Sequence, residues 1–239
     1  MIPINELLFV IDTKINSLSV LKGKYIPDET KIEVLNLSQL KLVLKKTGIN
    51  NNYQSGVDSY ARRYEDLQIL QVPFEQLNVT IIDSVQNSYR SPISGVSKKM
   101  IIPIGGYVSA DKGNCKKRTL DIKEFVKHAE IRLKLESSHY KPSFEYQETL
   151  ASVSNNSIYV YGQSDFVINN LYLSYLRYPI QMDVAGYEHL DGTPSTNEDC
   201  ELDYYLMNEL VDIAVAEIAD SLGNQSQSQL SRQRVKETE

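Results

Sequence analysis

Tyr172-Leu-Ser-Tyr-Leu-Arg-Tyr-Pro179 closes an aromatic and aliphatic run that begins at Phe166. From Tyr178 to Ser231 the chain then carries eleven carboxylates and no lysine or arginine. The run up to Tyr178 has the composition of a strand, and Pro179 ends it. Further on, Leu202, Leu206, Leu210, Ile213, Ala214 and Ile218 recur at helical spacing, with acids on the other face and Gly223 as a stop. The change of period separates a β-rich middle from a helical end, and this reading decides the fold class.

Upstream of that run, Leu67–Val72, Leu77–Ile82, Met100–Ile104 and Ile158–Tyr161 are short β-branched or aromatic segments bounded by Pro, Gly, Asn and Ser. Gly162-Gln-Ser-Asp165 reads as a hairpin turn between two of them. Gly105-Gly106 with Ala110-Asp-Lys-Gly113-Asn reads as a hairpin loop, since it matches neither a P-loop nor a dinucleotide fingerprint. One helix interrupts the β region, Asp121–Leu135, with Ile122, Phe125, Val126, Ala129, Ile131 and Leu133 apolar and Thr119 or Asp121 as cap.

The N-terminus is helical. Asn5 caps a helix with Leu7, Leu8, Ile11, Ile15 and Leu18 on one face, and Gly23 and Pro27 end it. Asp28 caps a second, with Ile32, Leu35, Leu37, Leu40, Leu42 and Val43 apolar and Lys45-Lys46 in its last turn. A short helical piece spans Val57–Tyr64. The expected architecture is α+β: helical N- and C-terminal elements forming a small bundle, residues 1–66 plus 196–222, around an inserted antiparallel β-sandwich or barrel-like module, residues 67–195. Residues 223–239 form an extended C-terminal tail whose polar composition predicts disorder unless a partner holds it.

Net charge is −6, distributed as +4 over residues 1–177, −11 over 178–231 and +1 over the last eight. Such a chain can set a positive face of one copy against a negative face of the next, a heterologous contact of the kind that closes rings. The acidic stretch also disfavours a grip on nucleic acid. Sixteen tyrosines and no tryptophan, with ten tyrosines between Tyr140 and Tyr205, suit strands and wet interfaces alike. Cys115 and Cys200 form neither a disulfide framework nor a metal pattern. There is no signal-peptide pattern and no apolar run of membrane-spanning length, which predicts folding in a cytoplasm and no membrane partner.

Recognisable chemistry is sparse. His128, His139 and His189 are far apart and lack metal-ligand spacing, and no Gly-x-Ser-x-Gly elbow marks a nucleophile. The acidic loop does not have calcium-loop spacing; Asp191-Gly-Thr-Pro194 reads as a turn, and Ser195 or Thr196 as a cap leading into the last helical region. No catalytic, metal or cofactor residue is predicted. Three interaction groups are. Asp183, Glu188, Asp191, Glu198 and Asp199 form an acidic face toward a channel or a neighbouring subunit. Leu206, Leu210, Ile213, Arg232 and Arg234 form a docking interface. Lys98, Lys99, Lys116, Lys117 and Arg118 form a basic loop that is solvated, touches protein or touches nucleic acid.

Tyr175-Leu-Arg-Tyr-Pro179, Asp183, Gly186-Tyr187, Asp191-Gly192, Ser195 and Glu209-Leu-Val-Asp-Ile-Ala-Val215 resemble neck proteins of crAss-like short-tailed phages that infect gut Bacteroidales. The resemblance is clearest over residues 140–222. It implies a non-enzymatic virion protein, a ring, adaptor or head-completion component assembled in the host cytoplasm. That family forms homo-oligomers, typically twelve-fold, stacked on the portal and bridging to the next neck or tail ring. The ring lines the DNA passage and touches genomic DNA only transiently. Two alternatives remain: a tail hub or fibre-attachment adaptor, and a carboxylate-dependent hydrolase built around Asp183 and Asp191.

Overall fold

The computed structural model describes residues 1–17, 25–47, 66–83, 87–113, 117–189 and 192–221. The short helix expected at Val57–Tyr64 and the tail 223–239 lie outside those residues, as do Cys115, Lys116, Asp191, Arg232 and Arg234. The chain divides into two compact units, Met1–Ile69 with Pro179–Glu239, and Leu70–Tyr178. The described helices are α1 (Ile4–Ser17), α2 (Asp28–Lys46), α3 (Ile131–Glu136) and α4 (Met207–Ser221), and the class is α+β. None of them is long and apolar enough to cross a membrane.

In the first unit α4 packs against both α1 and α2. Nine of its fifteen residues are buried, so more than one face is apolar. Its partners offer Ile4, Leu7, Leu8, Ile11 and Ile15 from α1, and Ile32, Leu35, Leu42 and Val43 from α2. Leu37, expected inside, is exposed, and the polar Ser38 and Gln39 take buried positions on α2 instead. Burial of a leucine or isoleucine contributes about 1.5–3 kcal/mol. A surface ion pair contributes about 0–1 kcal/mol. Apolar packing therefore holds the helices together.

The caps differ from the expected ones. Helix α1 begins at Ile4, and Asp199, far along the chain, accepts the Ile4 N–H at 2.9 Å. At α2 the cap position belongs to Pro27, with no side-chain cap bond; Asp28 pairs with Lys31 at 2.8 Å. Residues 67–69 and 179–195, expected in the β module, belong with the helices. One cause is Asn36 on α2, whose side-chain amide donates to the Met182 carbonyl at 3.0 Å and accepts its N–H at 2.8 Å.

The second unit is a single sheet with strand order β1-β8-β4-β5-β6-β7-β3-β2. The strands are β1 (Gln71–Asn78), β2 (Thr80–Asp83), β3 (Ser88–Pro92), β4 (Met100–Asp111), β5 (Arg118–Phe125), β6 (Glu148–Ser154), β7 (Ser157–Tyr161) and β8 (Val167–Arg177). Only Val79 separates β1 from β2, although they occupy opposite edges. A flat sheet cannot place its two edges one residue apart, so the sheet is curled into a half-barrel. The strand expected at Leu77–Ile82 is therefore two strands, broken at that corner.

The expected helix Asp121–Leu135 is mostly absent. Residues Arg118–Phe125 form β5, a 3-10 turn covers His128–Glu130, and only Ile131–Glu136 is helical. Leu120 is buried between exposed Thr119 and Asp121, and Ile122 packs on the same core, a period of two hidden inside an apparent period of 3.6. The sheet is not wholly antiparallel either: β5 and β6 run parallel. A parallel pair needs a crossover, and residues 126–147 supply it. Val126 and Ile131 of that crossover cluster with Leu150 and Tyr161 of the sheet.

Gly162–Asp165 is not a hairpin turn, because β7 and β8 are not neighbours. The two-residue hairpin is at Asn155-Asn156 between β6 and β7, with both φ values positive (47° and 55°). Gly105 and Gly106 sit inside β4 rather than in a loop.

Leu77, Leu171, Val108 and Leu120 align in register across β1, β8, β4 and β5, and all four are buried. Because side chains alternate along a strand, the rows on either side face the other way. They are Gln76-Tyr172-Tyr107-Asp121 and Asn78-Asn170-Ser109-Thr119.

Candidate functional site

The predicted acidic face begins at Asp183, which is not a free carboxylate. Its Oδ1 accepts the Tyr187 hydroxyl at 2.5 Å and the Val184 N–H at 2.9 Å; its Oδ2 accepts the Thr196 N–H at 2.9 Å and lies 3.1 Å from His189 Nε2. Backbone pairing of Asp183 with Glu198 and of Glu188 with Pro194 makes the loop a small antiparallel structure. Ser195, expected as a helix cap, instead accepts the Gly186 and Tyr187 N–H groups at 3.1 and 3.0 Å. Gly192, at φ 80°, donates to the His189 carbonyl and turns the loop.

This geometry sets the local electrostatics. Burial pushes the Asp183 carboxyl up, but the bonds from Tyr187, the Thr196 and Val184 N–H groups and His189 outweigh it and hold it below the usual range. Burial and the Asp183 carboxylate push the Tyr187 phenol up to about 12, with Glu29 and Glu33 of α2 adding negative potential. The loop is thus held by an ionised carboxylate and a neutral phenol. A carboxylate engaged by four donors is a poor general base.

Asp199 is exposed, but its Oδ1 is engaged as the cap of α1. Glu188 and Glu198 are exposed. Of the predicted acidic face, these two are, among the described residues, the exposed carboxylates that cap no helix.

Three acids of α4 are paired with lysines of the same chain. Asp212 meets Lys14 of α1 at 2.7 Å. Glu209 meets Lys45 and Lys46 at 3.0 and 3.2 Å, and Glu217 meets Lys41 at 2.8 Å, all on α2. The charge asymmetry of the sequence is in this part neutralised within the chain itself. The expected interface residues Leu206, Leu210 and Ile213 are core residues, at 2%, 0% and 9% exposure, so they are not available for docking. Helical spacing locates an apolar face but does not say whether the same chain covers it.

The basic loop is likewise not one patch. Lys98 and Lys99 precede β4, whereas Arg118 pairs with Ala110 near its far end and Lys117 adjoins it, about 30 Å away along the strand. Lys99 sits over the Tyr178 ring at 4.6 Å, Lys117 approaches Asp111 at 4.0 Å, and Arg118 lies over Phe144 and 3.6 Å from Glu145. The strand between them was underestimated because Gly105-Gly106 reads as a break.

Two buried polar features went unforeseen. The Lys31 ammonium, 5% exposed, bonds Asp12 and Asp28 at 2.7 and 2.8 Å. Burial alone would lower its pKa, but the two carboxylates raise it overall. Cys200, expected in a polar loop, is fully buried beside Gln39, and burial pushes its thiol up to about 11. Such a thiol is inert at neutral pH. No protein-family model matches the chain, and no curated protein matches it in sequence.

Proposed function

We propose that the chain is a structural, non-enzymatic protein of a phage neck. In this reading, copies form a closed ring, twelve-fold as in the family the sequence resembles, between the portal and the next neck or tail ring. The curled sheet then serves as a barrel-like module and the helices as a connector part, and the ring lines the passage for DNA inside the virion.

The observation that carries the reading is the loop described over residues 183–189 and 192–199. It is held from within by Asp183 and turns Glu188 and Glu198 outward. A shaped acidic projection suits a channel wall that must let a polyanion slide, because phosphates bind where cations neutralise them. It suits equally a neighbour's basic surface. The internal use of Asp183 supports a non-catalytic role over the hydrolase alternative.

The test is charge reversal at the two outward carboxylates. The E188K/E198K protein should fold normally and retard duplex DNA in a gel at low salt, where the wild-type protein does not. Wild-type protein that already binds DNA tightly at physiological salt would contradict a sliding surface.

A further inference from the structure

The outer face of β1, β8, β4 and β5 has no part in a neck ring as described above, yet the chain accepts backbone strain to build it. Phe74 adopts φ 36°, a left-handed conformation that bulky side chains rarely take. It follows Pro73 in a register shift of β1, and its N–H donates to Ser174 Oγ at 3.0 Å, which fixes the residue there. Strain of this kind persists where the surrounding structure imposes it, and it concentrates at functional positions. The ring gains no core burial, since Phe74 is 55% exposed. It stands 5.3 Å from Tyr107, which stacks on Tyr172 at 4.7 Å with planes 17° apart. Gly105, opposite Ser174, leaves open space where a Cβ would stand.

The ring's neighbours restrict what it could meet. The two outward rows of this face carry amides and hydroxyls, with Asp121 their one charge. Neither the Gln76 nor the Asn170 side chain has a hydrogen-bond partner among the described residues. A nucleic-acid strand needs cations beside its stacking platform. The nearest cation, Lys123, two residues beyond Asp121 on β5, is paired with Glu148 at 2.9 Å, and Lys99, Lys117 and Arg118, toward the two ends of β4, face Tyr178, Asp111 and Glu145 respectively. A neutral pyranose matches better: one ring face is C–H and apolar, and its rim is hydroxyls that an amide engages as donor and acceptor together.

We propose that this aromatic and amide face, with Asp121 at its edge, binds a neutral oligosaccharide. Phe74 is the stacking plane, Gln76 and Asn170 are hydroxyl partners, and Asp121 accepts from a hydroxyl at the far edge.

The test titrates maltohexaose, cellohexaose and chitohexaose into the full chain by NMR, up to about 10 mM. Phe74→Gly is the decisive variant, because glycine takes φ 36° without strain and removes only the ring. At least one sugar should shift resonances of the 70–78 and 167–177 strands. Phe74→Gly should weaken that binding about tenfold or more, with thermal stability unchanged or raised. Gln76→Ala should weaken it as well. Three outcomes overturn the proposal: no response to any of the three sugars, binding undiminished in Phe74→Gly, or oligo-dT occupying this face in their place. Loss of stability in Phe74→Gly would assign the ring to packing and count against the site.

Discussion

The Asp199 carboxylate accepts the backbone N–H of Ile4 at 2.9 Å across 195 positions of sequence, so the C-terminal acidic stretch caps the first helix of the chain. Two antiparallel backbone bonds between Ile2 and Cys200, 2.9 and 3.0 Å long, run beside it. Asp199→Ala should therefore lower the stability of the helical unit by about 1 kcal/mol, the usual worth of an N-cap with its helix-dipole interaction. Asp199→Asn should lose less. Urea denaturation followed by helical circular dichroism measures both.

Lys31 supplies a second test. Removing the carboxylates that flank a buried ammonium leaves its charge uncompensated, so Asp12→Asn with Asp28→Asn should cost about 3 kcal/mol. Lys31→Met, which removes the charge itself and keeps the apolar stem, should stay within about 1 kcal/mol of wild type. Because the folded pKa of Lys31 is raised above its ordinary 10.5, its contribution is complete below that pH and is lost as pH rises through the higher folded value. Stability curves of wild type and Lys31→Met should converge in that alkaline range.

The loop held by Asp183 responds to acid. Its folded pKa is depressed below 3.8, so its contribution is complete above that value and lost as pH falls through the folded pKa. Asp183→Asn should flatten the acid limb of the stability curve. It should also lower the Tyr187 phenol from about 12, with burial still holding it above its ordinary value, read as an earlier phenolate onset in an ultraviolet titration.

In the sheet, a Cβ added at Gly106 would stand 2.5 Å from the Tyr172 carbonyl oxygen on β8. Because that neighbour is backbone, Gly106→Ala must separate two central strands and should cost about 1–3 kcal/mol. Gly105→Ala meets nothing within 4 Å and should be tolerated far better. Paired thermal melts of the two variants make the comparison.

Periodicity made the ends of the chain legible. Leu7, Leu8, Ile11 and Ile15 on α1, and Leu210, Ala214 and Ile218 on α4, are spaced as amphipathic helices must be, and all are buried. It failed at Ile122, Phe125 and Val126, where strand alternation and helical spacing share positions and only pairing with Thr149, Leu150 and Ala151 decides between them. Long-range partners were not legible at all. Nothing local says that Asp199 caps α1, that Asp12 joins Asp28 around Lys31, or that Lys14 neutralises Asp212. The candidate acidic face shrank for the same reason, since a carboxylate reads as surface until its donors are placed around it.

Phe74 marks the opposite case. Pro73 before an aromatic looks like the end of a strand, yet the pair forms a bulge within β1 and the aromatic ring is turned out onto the sheet face. Local propensity is least informative where the chain is strained, and strained positions are where function concentrates.

The ring itself is the central claim, and native mass spectrometry of the purified chain, alone and mixed with a portal ring, tests it most directly. The prediction is a closed assembly, twelve copies of the 27.2 kDa chain or about 326 kDa, alone or templated on the portal. A chain that stays at 27.2 kDa at micromolar concentration in both samples would contradict the account.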